Sequence, residues 1–179
     1  MDRLSAHPAR RLLRIRLTVS DWDGTMFRVL ANALTFAFFY ALVTTAHGAN
    51  MADPKAVASI KAGHHDCAHC ELAGADLTNT CVKGGNLEGA NFANAKLVLM
   101  CMSYADFKGA SFRHADLAGA NLAHAKLDGA DFSGASLSIT SFKGTDLRGA
   151  KGLTQIQLDA ACGDADTRAP HGLSVKICS

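Results

Sequence analysis

The chain has 179 residues, 49% of them apolar but only 7% aromatic, and its formal net charge is +2. That length leaves room for one domain plus a targeting segment, and so few aromatics argue against an ordinary globular core. Charge is uneven, with six Arg against three Asp in residues 1–49 and twelve Lys and Arg against thirteen Asp and Glu in residues 50–179. The larger part carries no basic patch, which excludes nucleic acid as a partner class.

Residues 1–49 read as an N-terminal extension and signal peptide. Val29–Thr45 is uncharged, follows Arg28 and runs into Ala46-His47-Gly48-Ala49. A positive start, a short apolar core and a small-residue end describe a secretory signal, cleaved after Gly48 or Ala49. A start at Met26 gives that signal a conventional length. The expected location is periplasmic or secreted. The alternative is an inner-membrane anchor made of the uncleaved segment, although the run is short of the roughly twenty apolar residues a span needs. Membrane contact is expected only in that case.

Residues 50–70 read as an N-terminal cap. Asp53-Pro54 is a helix start and Gly63 lies near its end. Cys67 and Cys70 form a CxxC, with His64, His65 and His69 around them. Imidazole and thiolate together can hold zinc or copper, and a CxxC can be a redox pair. The spacing matches no closed zinc module, and a thioredoxin-type CxxC belongs in a βαβ context, which is absent. The preferred reading is a local disulfide staple.

From Glu71 the chain divides as ELAGA DLTNT CVKGG NLEGA NFANA KLVLM CMSYA DFKGA SFRHA DLAGA NLAHA KLDGA DFSGA SLSIT SFKGT DLRGA, sixteen units without an insertion. The second residue of each is Leu, Phe, Val or Met, and the fifth is usually Ala. Period five fits neither the helical nor the strand repeat. It fits a superhelix with one short side per unit, each unit sending one large and one small residue inward. Repeats of this kind stack into a solenoid.

Residues 71–150 thereby resemble the pentapeptide-repeat family, with its loose A(D/N)LXX motif. The resemblance implies an all-β solenoid, a right-handed quadrilateral β-helix of about four coils stacked at roughly 4.8 Å, with short helical N- and C-terminal caps. Twenty residues then make one coil. Phe92, Phe112 and Phe132 fall in one inward column that continues Leu72, and Leu77, Leu97, Leu117 and Leu137 in another. Outward columns alternate in charge: Glu88, Lys108, Asp128, Arg148; Asp76, Lys96, Asp116; Asp106, Lys126, Asp146. Opposite charges on neighbouring rungs favour this register by about 0.2–1 kcal/mol each. Cys81 and Cys101 stand on neighbouring coils, where a bridge is within reach but works against the rung geometry. His114 and His124 lie ten apart, on opposite sides of a coil, and are expected on the solvated surface.

Residues 151–179 read as a C-terminal cap. Thr154 with Gln157 resembles a capping box, Gly163 a helix stop, and the tail GLSVKICS a short strand. Cys162 and Cys178 are expected to close this segment as a disulfide loop. The segment from Gly152 to Cys178 also resembles the C-terminal cap of exported bacterial pentapeptide-repeat proteins.

The sequence supports a non-enzymatic scaffold or protein-interaction module of the periplasm or cell envelope. No Ser-His-Asp set, carboxylate pair or phosphate loop stands out, and no cofactor or small-molecule substrate is expected. The partner is another protein or an envelope component, met through the faces of the rod. A first alternative is a metal-binding or redox protein built on His64, His65, Cys67, His69 and Cys70. A second is a DNA-mimicking modulator of type II topoisomerase, as some family members are. Eight acidic against seven basic residues in 71–150 disfavour that one, because a mimic needs a strongly negative field.

Overall fold

The computed structural model describes residues 51–178. The signal-peptide reading of Val29–Thr45 and the start at Met26 lie outside these residues. Among the described residues no helix is long and apolar enough to cross a membrane.

Each unit makes the same backbone arrangement. The first residue of a unit forms a parallel β-bridge with the first residue of the unit twenty positions on, from Glu71 with Asn91 through to Asp131 with Lys151. Pairing therefore runs across the solenoid as ladders of single rungs, and no side is a strand of continuous pairing. Lys96 N–H donates to Ala75 O one coil back, at 2.8 Å, and Leu97 N–H to Asp116 O one coil on, at 2.7 Å. Leu99 N–H donates to Ala118 O at 2.9 Å, and Met100 N–H closes the turn on Leu97 O at 3.1 Å.

Four of the five backbone donors in a unit are paired in this way, which leaves the third. Where the first residue is Asp or Asn, its side chain takes that donor. Asp76 Oδ1 accepts from Thr78 N–H at 3.1 Å, and Asn91, Asp106, Asp116, Asn121, Asp131 and Asp146 repeat the contact two residues on. This is the Asx-turn chemistry that makes Asp and Asn turn residues. It satisfies a polar group that each corner would otherwise leave over.

The second residues point inward and fill the axis. Leu72, Leu77, Phe92, Leu97, Phe112, Leu117 and Phe132 are all fully buried. Phe92 stacks on Phe112 at 5.2 Å and Phe112 on Phe132 at 4.9 Å, while Phe107 meets Phe92 and Phe112 edge-on. The fifth residues are mostly small, since four backbones converge there. Four units depart from Ala or Gly: Thr80, Met100, which is fully buried, and Thr140 and Thr145, buried with their hydroxyls donating to Leu117 O and Leu122 O.

The twenty-residue register begins before Glu71. Asp66 accepts from Asn86 N–H at 3.0 Å. Cys67 N–H donates to Asn86 O and His69 N–H to Glu88 O, each at 2.7 Å. Residues 66–70 are thus one further unit, five residues upstream of the boundary placed at 71. The signal for it was the DxxxC frame of Asp66–Cys70, masked because cysteine holds both inward positions.

Helix α1, Pro54–Lys61, starts where Asp53 accepts from Lys55 N–H, has Pro54 in its first turn, and is followed by Gly63 in a left-handed conformation. Ala56 and Ile60 join the core. Helix α2, Gln155–Ala160, starts with the Thr154–Gln157 capping box and buries Leu158. It ends at Ala160, so Gly163 is not its stop. Gly163 is instead packed under the Thr167 side chain and forms a bridge with Ile177. That bridge is a single rung, and the tail is not a strand. After α2 the register slips, because Cys162 pairs with Ser141 and Arg168 with Asp146, spacings of 21 and 22 residues.

Candidate interaction surface

The outward side chains come from the first, third and fourth residues of each unit. The fourth residue occupies the left-handed region in every unit from His69 to Gly144, with φ between 56° and 73°. That is the third residue of a turn which demands positive φ, where Gly or Asn is preferred. Leu99, Tyr104 and Ile139 occupy it with φ of 56°, 62° and 57° and are all exposed. Large or β-branched residues cost of order 1–2 kcal/mol in this conformation.

These fourth-position side chains lean along the rod over the next coil. A Cβ on Gly119 would collide with Leu99, one on Gly134 with the His114 ring, and one on Gly144 with the His124 ring. Tyr104 lies flat on His124 at 4.8 Å, and Lys83 Nζ stands 5.8 Å over the Tyr104 ring. One face therefore carries a stack of Lys83, Tyr104 and His124. Twenty-residue spacing could have found the Tyr104–His124 pair, which the sequence reading missed by comparing His124 with His114.

The charge columns are realised selectively. Asp106 and Lys126 close an ion pair at 3.1 Å across the rung. Arg148 does not reach toward Asp128 but turns to Asp146 in its own unit, at 2.6 Å. Arg113 takes Asp131 at 3.0 Å, a diagonal contact that no twenty-residue column contains. The Lys and Arg ends are exposed and the carboxylates partly so, and each pair is worth little individually. The Arg148 guanidinium, with its own N–H, holds the Asp146 carboxyl down to about 2. The Ser133 hydroxyl is the first cause of a lowered Asp131, which Ser133 N–H and Arg113 reinforce against partial burial.

The structure joins Cys67 to Cys70, with Cα atoms 5.4 Å apart, and Cys162 to Cys178, at 4.9 Å. Cys67 points inward and is buried, while His64 is exposed and the His69 ring lies over Gly89. His65 lies beside Gly85, with its backbone against it. The five residues from His64 to Cys70 thus do not converge. Among the described residues no group of three or more His, Cys, Asp or Glu is gathered as for a metal ion. Cys81 and Cys101 share a rung as free thiols.

The family model for pentapeptide repeats matches residues 70–113, 101–138 and 115–151, in eight copies. A pentapeptide repeat protein of the Arabidopsis thaliana thylakoid lumen is 29% identical over 55% of this chain and 61% of its own, with a TM-score of 0.42. A pentapeptide repeat protein of the cyanobacterium Cyanothece is 28% identical over 58% of this chain and 63% of its own, with a TM-score of 0.43. HetL, a pentapeptide repeat protein involved in heterocyst differentiation regulation in Nostoc, is 28% identical over 62% of this chain and 51% of its own, with a TM-score of 0.49. The chain spans less than two thirds of the length of each of these three. No curated protein matches it.

Proposed function

The chain belongs to the pentapeptide-repeat family through residues 70–151, and on that footing we propose that it is an exported, non-enzymatic scaffold whose outer faces bind a protein or envelope partner. The observation that carries this reading is the filled axis. Phe92, Phe112 and Phe132 stack along it, fully buried, so chemistry with a partner falls to the outer side chains.

The short apolar segment Val29–Thr45 supports export. The Cys162–Cys178 and Cys67–Cys70 pairs agree with an oxidising compartment. Helices α1 and α2 are read as caps for the solenoid ends, because an uncovered end exposes apolar residues and unpaired rungs. The Lys83–Tyr104–His124 stack is the favoured contact face. An exposed Tyr is a typical anchor of an interface.

Crosslinking of the full chain in its host, from sites on that face, tests the reading. Recovery of one protein or envelope component, lost in Tyr104→Ala, supports it. Turnover of a small substrate by the purified chain, or recovery of the same partner from Tyr104→Ala at undiminished yield, counts against it.

A further inference from the structure

One face of the rod carries no carboxylate. It is built from units 81–85, 101–105, 121–125 and 141–145, stacked through the rungs Cys81–Cys101, Cys101–Asn121 and Asn121–Ser141. These units contain no Asp or Glu and two cations, Lys83 and Lys143, both exposed. The Lys83–Tyr104–His124 stack lies on this face. Resting on the reading of that stack as the contact surface, we propose that the partner is a protein that lays an extended acidic segment along this face.

The first argument is the sign of the face. Within residues 71–150 the other three faces set all eight acids against the remaining five bases. Each of those five has a carboxylate on its own face, and Arg113, Lys126 and Arg148 close ion pairs with theirs. Among the described residues Lys83 and Lys143 join no ion pair. Asp164 bounds the face one coil beyond Gly144, where its Oδ1 accepts from Gly144 N–H, Asp166 N–H and the Thr167 hydroxyl. Salt screens exposed charges over about 8 Å under physiological conditions, so the near-neutrality of the whole rod does not erase this local sign.

The second is the line of donors. Lys83, Tyr104, His124 and Lys143 stand on four successive coils, which spans about 14 Å at roughly 4.8 Å per coil. An extended segment of about five residues covers that length. Lys83 Nζ stands 5.8 Å over the Tyr104 ring from the coil before, and the His124 ring lies against it at 4.8 Å from the coil after. Both sides of the ring are thereby covered, and Tyr104, 56% exposed, presents its edge and hydroxyl. A base needs an open ring face to stack on, whereas a carboxylate needs only a hydroxyl and a cation.

The third is the number of cations. Anionic membranes are recognised by clusters of about four to eight Lys and Arg, and a nucleic acid presents a long row of phosphates. Two Lys suit a few carboxylates and neither of those. Tyr104 also holds φ at 62°, at the position that Gly84 and Gly144 fill on the same face. Strained backbone of this kind gathers at binding positions.

Titrating the isotopically labelled full chain with a deca-glutamate peptide, followed by NMR, tests this. The amide signals of Lys83, Tyr104, His124 and Lys143 should move together, and less as salt is raised to about 0.15 M. The double variant Lys83→Glu, Lys143→Glu should bind the peptide about tenfold more weakly, the loss of two exposed pairs. Lys108→Glu, on another face, should not weaken it, and an unchanged thermal melt verifies the fold of both variants. Unmoved signals on this face, or equal weakening by Lys108→Glu, overturns the proposal. So does loss of the same signals to vesicles of phosphatidylcholine and phosphatidylglycerol without a response to the peptide, which assigns the face to an anionic surface. In host crosslinking, the partner should be lost from the double Glu variant as from Tyr104→Ala. A partner lost from Tyr104→Ala but kept by the double Glu variant overturns the acidic segment and leaves the contact face standing. A partner kept by both removes the face as well.

Discussion

The rings of Phe112 and Phe132, twenty residues apart in sequence, lie face to face with centroids 4.9 Å apart and planes 12° apart. Phe92 extends the stack at 5.2 Å, and Phe107 closes its flank edge-on. Phe112 therefore touches aromatic rings on three sides and has no exposed surface. Phe112→Ala should destabilise the chain by about 3–5 kcal/mol, as large-to-small changes at buried Phe do. Phe112→Leu, which keeps most of the volume, should cost less. Denaturant midpoints at unchanged slope measure both. A loss below that of an exposed substitution would remove the solid axis from the account.

Ile139 is 77% exposed and holds φ at 57°, so its side chain gains little from burial and pays for its backbone. Its N–H still donates to Ala160 O at 2.7 Å, a bond that any residue other than Pro can make. Ile139→Asn should stabilise by about 1 kcal/mol, because Asn tolerates the left-handed region. A thermal melt reads the change. A lower midpoint in the Asn variant would show that Ile139 packs on something that matters more than its strain.

Gln157 does more than complete a capping box. Its amide donates to Phe132 O and to Ala135 O, both at 2.9 Å, and so ties α2 to the coil before it. Thr154→Ala should cost about 0.5–2 kcal/mol, the usual loss for an N-cap. Gln157→Ala should cost more than Thr154→Ala, since it also strips two carbonyls of a partner, worth about 1 kcal/mol each. Equal losses would mean that the amide contacts carry no weight.

Asp146 should titrate well below an ordinary carboxyl. Its value is lowered to about 2, first by the Arg148 side chain and its N–H, with Arg168 adding at 4.0 Å. Because the folded value lies below the unfolded one, its contribution is complete above an unfolded value near 3.8 and is lost as pH falls toward 2. Carboxyl chemical shifts followed against pH check this directly. In Arg148→Gln the Asp146 midpoint should rise toward the ordinary range. The stability change should be small, because both groups are exposed.

The interior was largely legible in the sequence, and the exterior was not. The period of five placed Phe92, Phe112 and Phe132 in one column, and the structure stacks them. It read Asp at the first position only as a member of outward charge columns, and so missed that Asp76 and its equivalents satisfy the third N–H of the unit. That N–H becomes surplus only when the corner geometry is known. Left-handed fourth residues went unread for the same reason, although Gly, Asn and His recur there. Gly163 was read as a helix stop because local pattern resembles a stop. In the folded chain it lies beneath Thr167 and opposite Ile177.

What the residues determined by themselves is the azimuth of each side chain. Five residues per side and twenty per coil leave only one inward set, and burial of apolar groups selects it. What tertiary structure alone decided is the direction each outer side chain takes once it leaves the backbone. Arg148 could meet Asp128 or Asp146, Arg113 had no partner in its column, and Cys81 and Cys101 could close or stay apart. Those choices differ by little energy on an exposed surface. Leaning side chains, rung spacing and corner hydrogen bonds settle them, and none of these exists before the coils stack.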